Sequence, residues 1–578
     1  MTQWSVSSRG KLSLALASSL CLAALPACDG PPAAAVPAPS SAGTSAAPAR
    51  SVEITIVGTS DLHGRLSTLP VLGGYLGALR ARNPEGVLLV DAGDMFQGTL
   101  ESNQNEGEAV IEAYKKLRYD AVAIGNHEFD YGPVGEASTV RRDAPEGPDR
   151  DPRGALAARA LQAKGAFPVL AANLLENDRP FSHPNIVPSA LVTKNGVPVG
   201  IIGVTSIGTT STTIAANVVG VRVTPLAGAI TEQAKALREK GAKVVVVAAH
   251  AGGQCKKLDA PKDLSSCDGA AEIFDVARAL PEGTVQVIIA GHTHQAVAHE
   301  VSGIPIIQSN AYGVAFGRVD LTVDVSSGKV VRSKIFPPEQ VARGASFEGV
   351  TIAPATDVEE ALKPAIERAQ ARRAESLSAT VTAPFAARYR DECALGNLLT
   401  TLLLDLDPKA DIALMNGGGL RADIAPGPLT YGALYDALPF DNRLATMTMT
   451  GRSLRAELVK NLTGKGGILS IAGARVTGRC EGDKLAVDVV LTGRNRPDRK
   501  LKDDDRVVAI TNEFIATLGD GFGPADKVEI DEGGPPFRDP VAAALKKRGG
   551  TLKPEEWLLP GKPRISLPGP IGADVCKR

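Results

Sequence analysis

Val52-Glu53-Ile54-Thr55-Ile56-Val57 runs into Thr59-Ser60-Asp61-Leu62-His63-Gly64: a short β-branched, apolar segment that breaks into a polar tip ending in glycine. The pattern recurs four times before residue 295. Val87-Leu88-Leu89-Val90 leads to Asp91-Ala92-Gly93-Asp94, and Ala121-Val122-Ala123-Ile124 leads to Gly125-Asn126-His127-Glu128. Val244 to Ala249 leads to His250-Ala251-Gly252-Gly253, and Val285 to Ala290 leads to Gly291-His292-Thr293-His294. Continuous apolar runs of this length suit strands buried between helical layers, and sites in such sheets gather at the carboxyl ends of the strands. Five polar tips at that end converge in space.

Histidines sharpen the reading. The chain holds seven, at positions 63, 127, 183, 250, 292, 294 and 299, and five of them stand in these tips. His183 and His299 fall outside the pattern and are expected to be structural. Asp61 and His63 are two residues apart at a strand end, where alternate side chains share a direction, so both can reach one ion. His292 and His294 have the same spacing and can serve two neighbouring ions if the turn splays them. Asp94 can bridge two metals through its two carboxylate oxygens, and Asn126 offers a neutral carbonyl oxygen. Two carboxylates against two divalent cations leave the centre positive, which suits in-line attack on a phosphate ester. The mixed nitrogen and oxygen set selects Zn, Mn, Co or Fe over Mg, which prefers oxygen. An imidazolium at His127 would stabilise charge on the transferring group, and Asp130, three residues on, can hold its tautomer.

Asp-Leu-His, Gly-Asp, Gly-Asn-His-Glu, His-Ala-Gly-Gly and Gly-His-Thr-His, in this order and at these intervals, resemble the calcineurin-like metallophosphoesterases. More narrowly, the chain resembles the 5′-nucleotidase family over about residues 52–565. The resemblance implies an α/β protein with an N-terminal metallophosphoesterase domain of α/β/β/α sandwich form (51–350). A linker helix (351–378) would join it to a C-terminal α/β nucleotide-binding domain (379–578). It further implies that Asp61, His63, Asp94 and His294 hold one divalent metal, and that Asp94, Asn126, His250 and His292 hold the other. His127 and Asp130 would match the family's catalytic dyad, with a water activated by the ions as nucleophile.

Val358 to Ser376 is rich in helix formers, with Leu362, Ile366 and Ala369 on one face and Pro364 expected in the first turn. In the resembled family such a connector lets the C-terminal domain rotate between open and closed positions. Residues 380–565 contain no histidine and no cluster of metal ligands, so catalysis falls to the first domain and binding to the second. Asn416-Gly417-Gly418-Gly419-Leu420-Arg421 follows the apolar run from Ile412 to Met415. Its glycines would let backbone approach a ligand, and Arg421 offers a planar fork suited to phosphate or carboxylate. Leu438-Pro439-Phe440-Asp441-Asn442, Asn512-Glu513-Phe514 and Gly519-Asp520-Gly521-Phe522 extend the likeness to the family's substrate domain. It implies that Phe440 and Phe514 sandwich the base, that Asn416 touches the base, and that Asp520 accepts a ribose hydroxyl. Arg421 would meet phosphate or carboxylate, and of Arg388 and Arg390, which the register does not separate, one would supply another phosphate contact. Leu518 departs from the family, where many relatives carry glycine, and could reshape the loop near Asp520.

A chain of 578 residues is too long for one core, which agrees with two domains plus extensions. Its net charge of −1, without a basic run beyond short clusters such as Lys256-Lys257, offers nothing to a nucleic acid polymer. Arg9 and Lys11 precede the apolar stretch from Leu12 to Leu25, the pattern of a secretory signal (1–27). Leu25-Pro26-Ala27-Cys28 resembles a bacterial lipobox, with a proline that departs from it; Cys28 would be lipidated, and residues 28–50 would form a flexible tether. Of the five remaining cysteines, Cys255 and Cys267 lie in one polar loop and could pair or stay free. Residues 134–165, which include Arg141-Arg142-Asp143, read as a charged surface insertion.

The expected activity is hydrolysis of nucleoside 5′-monophosphates outside the cytoplasm, in the periplasm or at the cell surface, with two divalent metal ions. The alternatives are a UDP-sugar hydrolase or 2′,3′-cyclic-nucleotide phosphodiesterase of the same family, and, more remotely, a non-catalytic binding lipoprotein. The partners expected are a small-molecule nucleotide and, through the lipid anchor only, a membrane; no protein partner is inferred.

Overall fold

The protein is described by a computed structural model for residues 50–577, apart from 136–139, 141–149, 494–496, 518–522, 524 and 532–534. The expected signal, Cys28 and nearly all of the tether lie outside the described residues, as do Leu518 and Asp520.

All five apolar runs are strands: Ser51–Thr59, Val87–Asp91, Ala121–Ala123, Val244–His250 and Val287–Ala290. They divide between two sheets. The first three lie side by side and parallel in a seven-stranded sheet, flanked on one edge by antiparallel Ala315–Asp324 and Val330–Gln340. Val244–His250 and Val287–Ala290 are parallel neighbours in a six-stranded sheet, with Val197–Thr205 on the other side of Val244–His250.

Burial shows why the runs are apolar on both faces. Ile54, Ile56, Leu88 and Val90 of the first sheet meet Val199, Ile201, Val244, Val246 and Ile289 of the second in one cluster between the sheets. Val57, Leu89 and Val122 face the other way, onto helices Leu69–Arg82 and Glu108–Leu117. Val245, Val247 and Ile288 likewise face helices Leu226–Glu239 and Glu272–Ala279. The result is an α/β/β/α sandwich with its tips at one end.

Two expectations about the connecting regions change. Gly154–Gln162, inside the stretch expected as a surface insertion, is a helix burying Ala155, Leu156 and Ala160 in the first core. Leu156 and Ala160 are four apart and share one face, a signal hidden by the charged residues before them. The connector helix spans Thr356–Arg373, so Pro364 lies in its interior and not its first turn. Pro364 is on the exposed side, where water can take up the carbonyl that its missing N–H leaves without a donor. Val358, Leu362 and Ala365 of this helix belong to the first core, and Ala369 belongs to the next.

The second domain is built on a five-stranded sheet in the order Leu469–Ala472, Ile412–Asn416, Arg506–Asn512, Leu444–Thr450, Lys527–Ile530. Cys255 and Cys267 are joined by a disulfide, and a second joins Cys480 to Cys576 across 96 residues. That separation left no sequence signal. Cys393, buried, is the unpaired cysteine among the described residues.

Candidate metal centre

The tips do not aim their side chains by strand alternation. Asp61 and His63 lie past the end of Ser51–Thr59 in left-handed backbone, with φ 53° and 49°. Asp94, His292 and His294 share that region at φ 59°, 77° and 57°. L-residues with a Cβ avoid it at a cost of about 1–3 kcal/mol each, so five of the seven expected ligands are held in strained turns.

The strain is held by bonds between tips. Asp61 N–H donates to Gly93 O at 2.8 Å, His63 N–H to Asp94 O at 3.0 Å, and Gly64 N–H to Met95 O at 2.9 Å, zipping the first tip to the second beyond the sheet. The third tip is tied in by Glu128. Its buried carboxylate accepts the N–H groups of Asp94 at 2.9 Å, Met95 at 2.7 Å and Gly125 at 2.6 Å. Glu128 stood in the quoted motif without an assigned task; it fastens two ligand-bearing turns together.

The convergence makes two adjoining groups of ligand atoms, one of Asp61, His63, Asp94 and His294 and one of Asp94, His250 and His292, each spanning no more than 4.8 Å. His63 Nε2 and His294 Nε2 are 2.9 Å apart, with Asp61 Oδ1 3.5 Å from the latter. In the second group, His250 Nε2 lies 3.1 Å from Asp94 Oδ2, 3.2 Å from His292 Nδ1 and 3.1 Å from Asn126 Oδ1. Asp94 belongs to both.

Outer contacts fix which atoms point inward. His63 Nδ1 donates to Gln97 O at 2.8 Å and His250 Nδ1 to Ala92 O at 2.9 Å, leaving Nε2 of each as the inward atom. Asn126 Nδ2 donates to Thr212 O at 3.0 Å, which turns its carbonyl oxygen inward.

Electrostatics agree with a cation-binding role. Burial pushes the Asp61 carboxyl up to about 7, with the Asp94 charge adding to the effect and His250 opposing it. Burial lowers His292 to about 4, helped by His250, and His294 to about 3, helped by Arg421, so each offers an unprotonated nitrogen at neutral pH. Two carboxylates buried around one point draw positive charge to it: although burial opposes the shift, Asp94 pushes His250 up to about 10. The donor set fits two divalent cations.

His127 adjoins this centre. Its N–H donates to Asp94 Oδ1 at 2.9 Å, and its Nδ1 lies 2.5 Å from Asp130 Oδ2. Although burial opposes it, Asp130 and Asp94 hold the His127 imidazole above its usual value. Asp130 is held in turn by the Thr213 hydroxyl, which donates to Oδ1 at 2.7 Å. Thr212 and Thr213 lie in a polar loop without a motif, and sequence reasoning missed both.

From the second domain, the structure brings Phe440 and Arg421 to the cleft. The Phe440 ring lies 5.7 Å from His127, and the Arg421 guanidinium lies 5.6 Å from the Phe440 ring. The other expected contacts among the described residues have separate surroundings. Phe514 is half-buried against the core around Leu458 and Ile515, and among the described residues no ring contact joins it to Phe440. Asn416 is buried at the end of Ile412–Asn416. A Cβ at Gly417 would fall 2.6 Å from Tyr389 O, so on that side this glycine admits neighbouring protein backbone. Arg388 is exposed and donates to Ala387 O at 3.0 Å. Arg390 donates to Gly464 O at 3.1 Å, Ile571 O at 3.0 Å and Lys465 O at 3.3 Å, a set of backbone ties.

Residues 54–296 match the family model for the calcineurin-like phosphoesterases, and residues 374–527 match that for the 5′-nucleotidase C-terminal domain. The 5′-nucleotidase of Diplobatis ommata is 26% identical over 516 residues, covering 81% of this chain and 83% of that protein. Endonuclease YhcR of Bacillus subtilis (strain 168) is 27% identical over 470 residues, covering 80% of this chain and 36% of that protein. This chain thus spans about a third of that relative's length. Among solved structures, a 5′-nucleotidase precursor from Thermus thermophilus gives a TM-score of 0.69 at 25% identity, over 89% of this chain and 99% of that one.

Proposed function

The chain belongs to the metal-dependent phosphoester hydrolases that join a calcineurin-like domain to a 5′-nucleotidase C-terminal domain, and we propose that it converts nucleoside 5′-monophosphates to nucleoside and phosphate. The observation that carries the reading is the position of Phe440, an aromatic face 5.7 Å from His127 at the edge of the metal centre. A phosphate held at the centre leaves its nucleoside within reach of that face.

Asp61, His63, Asp94 and His294 would hold one cation, and Asp94, Asn126, His250 and His292 the other. Bound there, the pair supplies positive charge for the phosphate and acidifies a water for attack on phosphorus. His127, which Asp130 holds above its usual value against the effect of burial, takes up charge developing on the phosphoryl oxygens. Arg421 adds a second cation at the rim. Phe440 offers a stacking face that tolerates different bases, with Phe514 and Asn416 assigned to the base, Asp520 to the ribose and Arg388 to phosphate. Arg390, tied to three carbonyls, is assigned to the shape of its loop.

We assign the protein to the cell envelope outside the cytoplasm, anchored by lipid on Cys28. Two disulfides suit an oxidising compartment. Among the described residues no helix is long and apolar enough to cross a membrane. Cys28→Ala should release the protein from the membrane fraction; a variant that stays membrane-bound would remove the anchor.

A panel of AMP, UMP, UDP-glucose, 2′,3′-cAMP and p-nitrophenyl phosphate, run on protein lacking the first 28 residues, tests the substrate. Nucleoside monophosphates should be the preferred members. Chelation should abolish turnover and Zn, Mn or Co should restore it; activity surviving complete metal removal refutes the scheme.

A further inference from the structure

Leu438, Pro439 and Phe440 have all three of their backbone carbonyls engaged, and the two domains share the work. From the second domain, buried Arg538 donates through Nη1 to Leu438 O at 2.8 Å and to Phe440 O at 3.2 Å. From the first domain, Gln97 Nε2 donates to Pro439 O at 2.8 Å and Asn103 Nδ2 to the same oxygen at 3.1 Å. Asn103 is oriented for this because its Oδ1 accepts the Gly98 N–H at 3.1 Å and the Tyr131 hydroxyl at 2.9 Å.

Gln97 has a second attachment. Its own carbonyl accepts from His63 Nδ1, the bond that turns His63 Nε2 into the centre. The backbone here has little room to adjust: Gly98 has φ 148°, and a Cβ on it would lie 2.5 Å from His63 O. Gln97 itself is only 3% exposed. One residue therefore touches an expected metal ligand through its backbone and the segment carrying Phe440 through its side chain.

We infer that Gln97 is a positioning residue that sets the Phe440 face in register with the phosphate site. The inference rests on the nucleotide reading above. A nucleotide is gripped at two ends by groups from different domains. If the domains are misplaced by an ångström, binding at one end is gained at the expense of the other, and the reacting phosphate leaves its attack geometry. A substrate without a base has only one end to satisfy. Neither the metal set nor the His127 dyad uses the Gln97 side chain, so its loss should fall on register and not on the chemistry.

The test is Gln97→Met, which keeps length and volume but has no donor for Pro439 O, compared with wild type on AMP and on p-nitrophenyl phosphate. For AMP, kcat/KM should fall about ten-fold, with kcat reduced as well as KM raised, the size expected for one lost buried hydrogen bond. The loss on the aryl phosphate should be several-fold smaller. Bound metal should stay at the wild-type stoichiometry, because His63 is oriented by the Gln97 backbone. Adding Asn103→Asp, which retains the acceptor for Gly98 and Tyr131, should widen the difference between substrates. Equal losses on both substrates, wild-type kinetics on AMP, or loss of metal would each overturn the inference while leaving the nucleotide reading intact. A wild-type enzyme that ignores every nucleotide in the panel would instead remove the reading and the inference with it.

Discussion

The Glu128 carboxylate accepts the backbone N–H of Asp94 at 2.9 Å, so the residue shared by both metal groups is held by a side chain two positions from Asn126. Three N–H groups depend on this carboxylate, and Glu128 is only 1% exposed. A buried donor left unsatisfied costs about 1–3 kcal/mol. Glu128→Ala should therefore lower the melting temperature clearly and weaken metal retention about 10–100-fold, the usual range for an outer contact of a metal site. Metal analysis after dialysis, with a thermal melt, checks both. Full metal content in a normally stable variant would show that the left-handed turn at Asp94 holds itself.

Thr213 is the corresponding partner of the dyad. Thr213→Val keeps the shape but removes the hydroxyl that donates to Asp130 Oδ1 at 2.7 Å. Asp130 would then swing more freely, and kcat should drop about ten-fold on AMP and on p-nitrophenyl phosphate alike, the size expected for one lost buried hydrogen bond. Thr213→Ser should recover most of it. A loss confined to AMP would place Thr213 in base recognition and not behind the dyad.

The ligand residues were legible because coordination restricts residue type and because their strands are apolar on both faces. Asp61, His63, Asp94, Asn126, His250, His292 and His294 each end such a run, and the geometry gathers them. What escaped was the means of aiming them. Left-handed backbone at Asp61 and His63 depends on N–H groups paired with Gly93 and Asp94, and no local pattern records a partner thirty residues away. Gln97 and Thr213 were silent for the same reason, since an amide or hydroxyl in a polar loop acquires meaning only from what lies opposite. Pro364 misled by position: even counted from Val358 it is the seventh residue, past the first turn, and the true start at Thr356 sets it deeper still.

Phe440 and Phe514 separate by environment. Phe440→Ala should raise KM for AMP about ten-fold or more, given about 1–3 kcal/mol per stacked base, and change p-nitrophenyl phosphate far less. Phe514 is half-buried against the core around Ile515, so Phe514→Ala should lower the melting temperature as well as weaken nucleotides. Steady-state kinetics on both substrates, with thermal melts, separate the two effects. If Phe514→Ala left nucleotide KM untouched while lowering stability, the base would rest on Phe440 without a second aromatic wall.

Arg390 tests the geometry against the family likeness. The likeness offers it or Arg388 as a phosphate contact, and in the structure the Arg390 guanidinium ties Gly464, Lys465 and Ile571 through their carbonyls. These ties join the end of helix Gly451–Thr463 to the tail that also carries Cys576, whose disulfide reaches Cys480. Removing a charged donor from several carbonyls costs about 1–3 kcal/mol, toward the lower end for a group only half-buried. Arg390→Ala should therefore lower the melting temperature by a few degrees while kcat/KM for AMP at 25 °C stays within about two-fold, since a change of this size leaves a folded domain folded. Arg388, exposed on the same stretch, makes the contrast: if it meets phosphate, Arg388→Ala should raise KM for AMP with no loss of stability. A large rise in KM for Arg390→Ala, without a thermal shift, would mean that these carbonyl ties are exchanged for substrate when a nucleotide arrives.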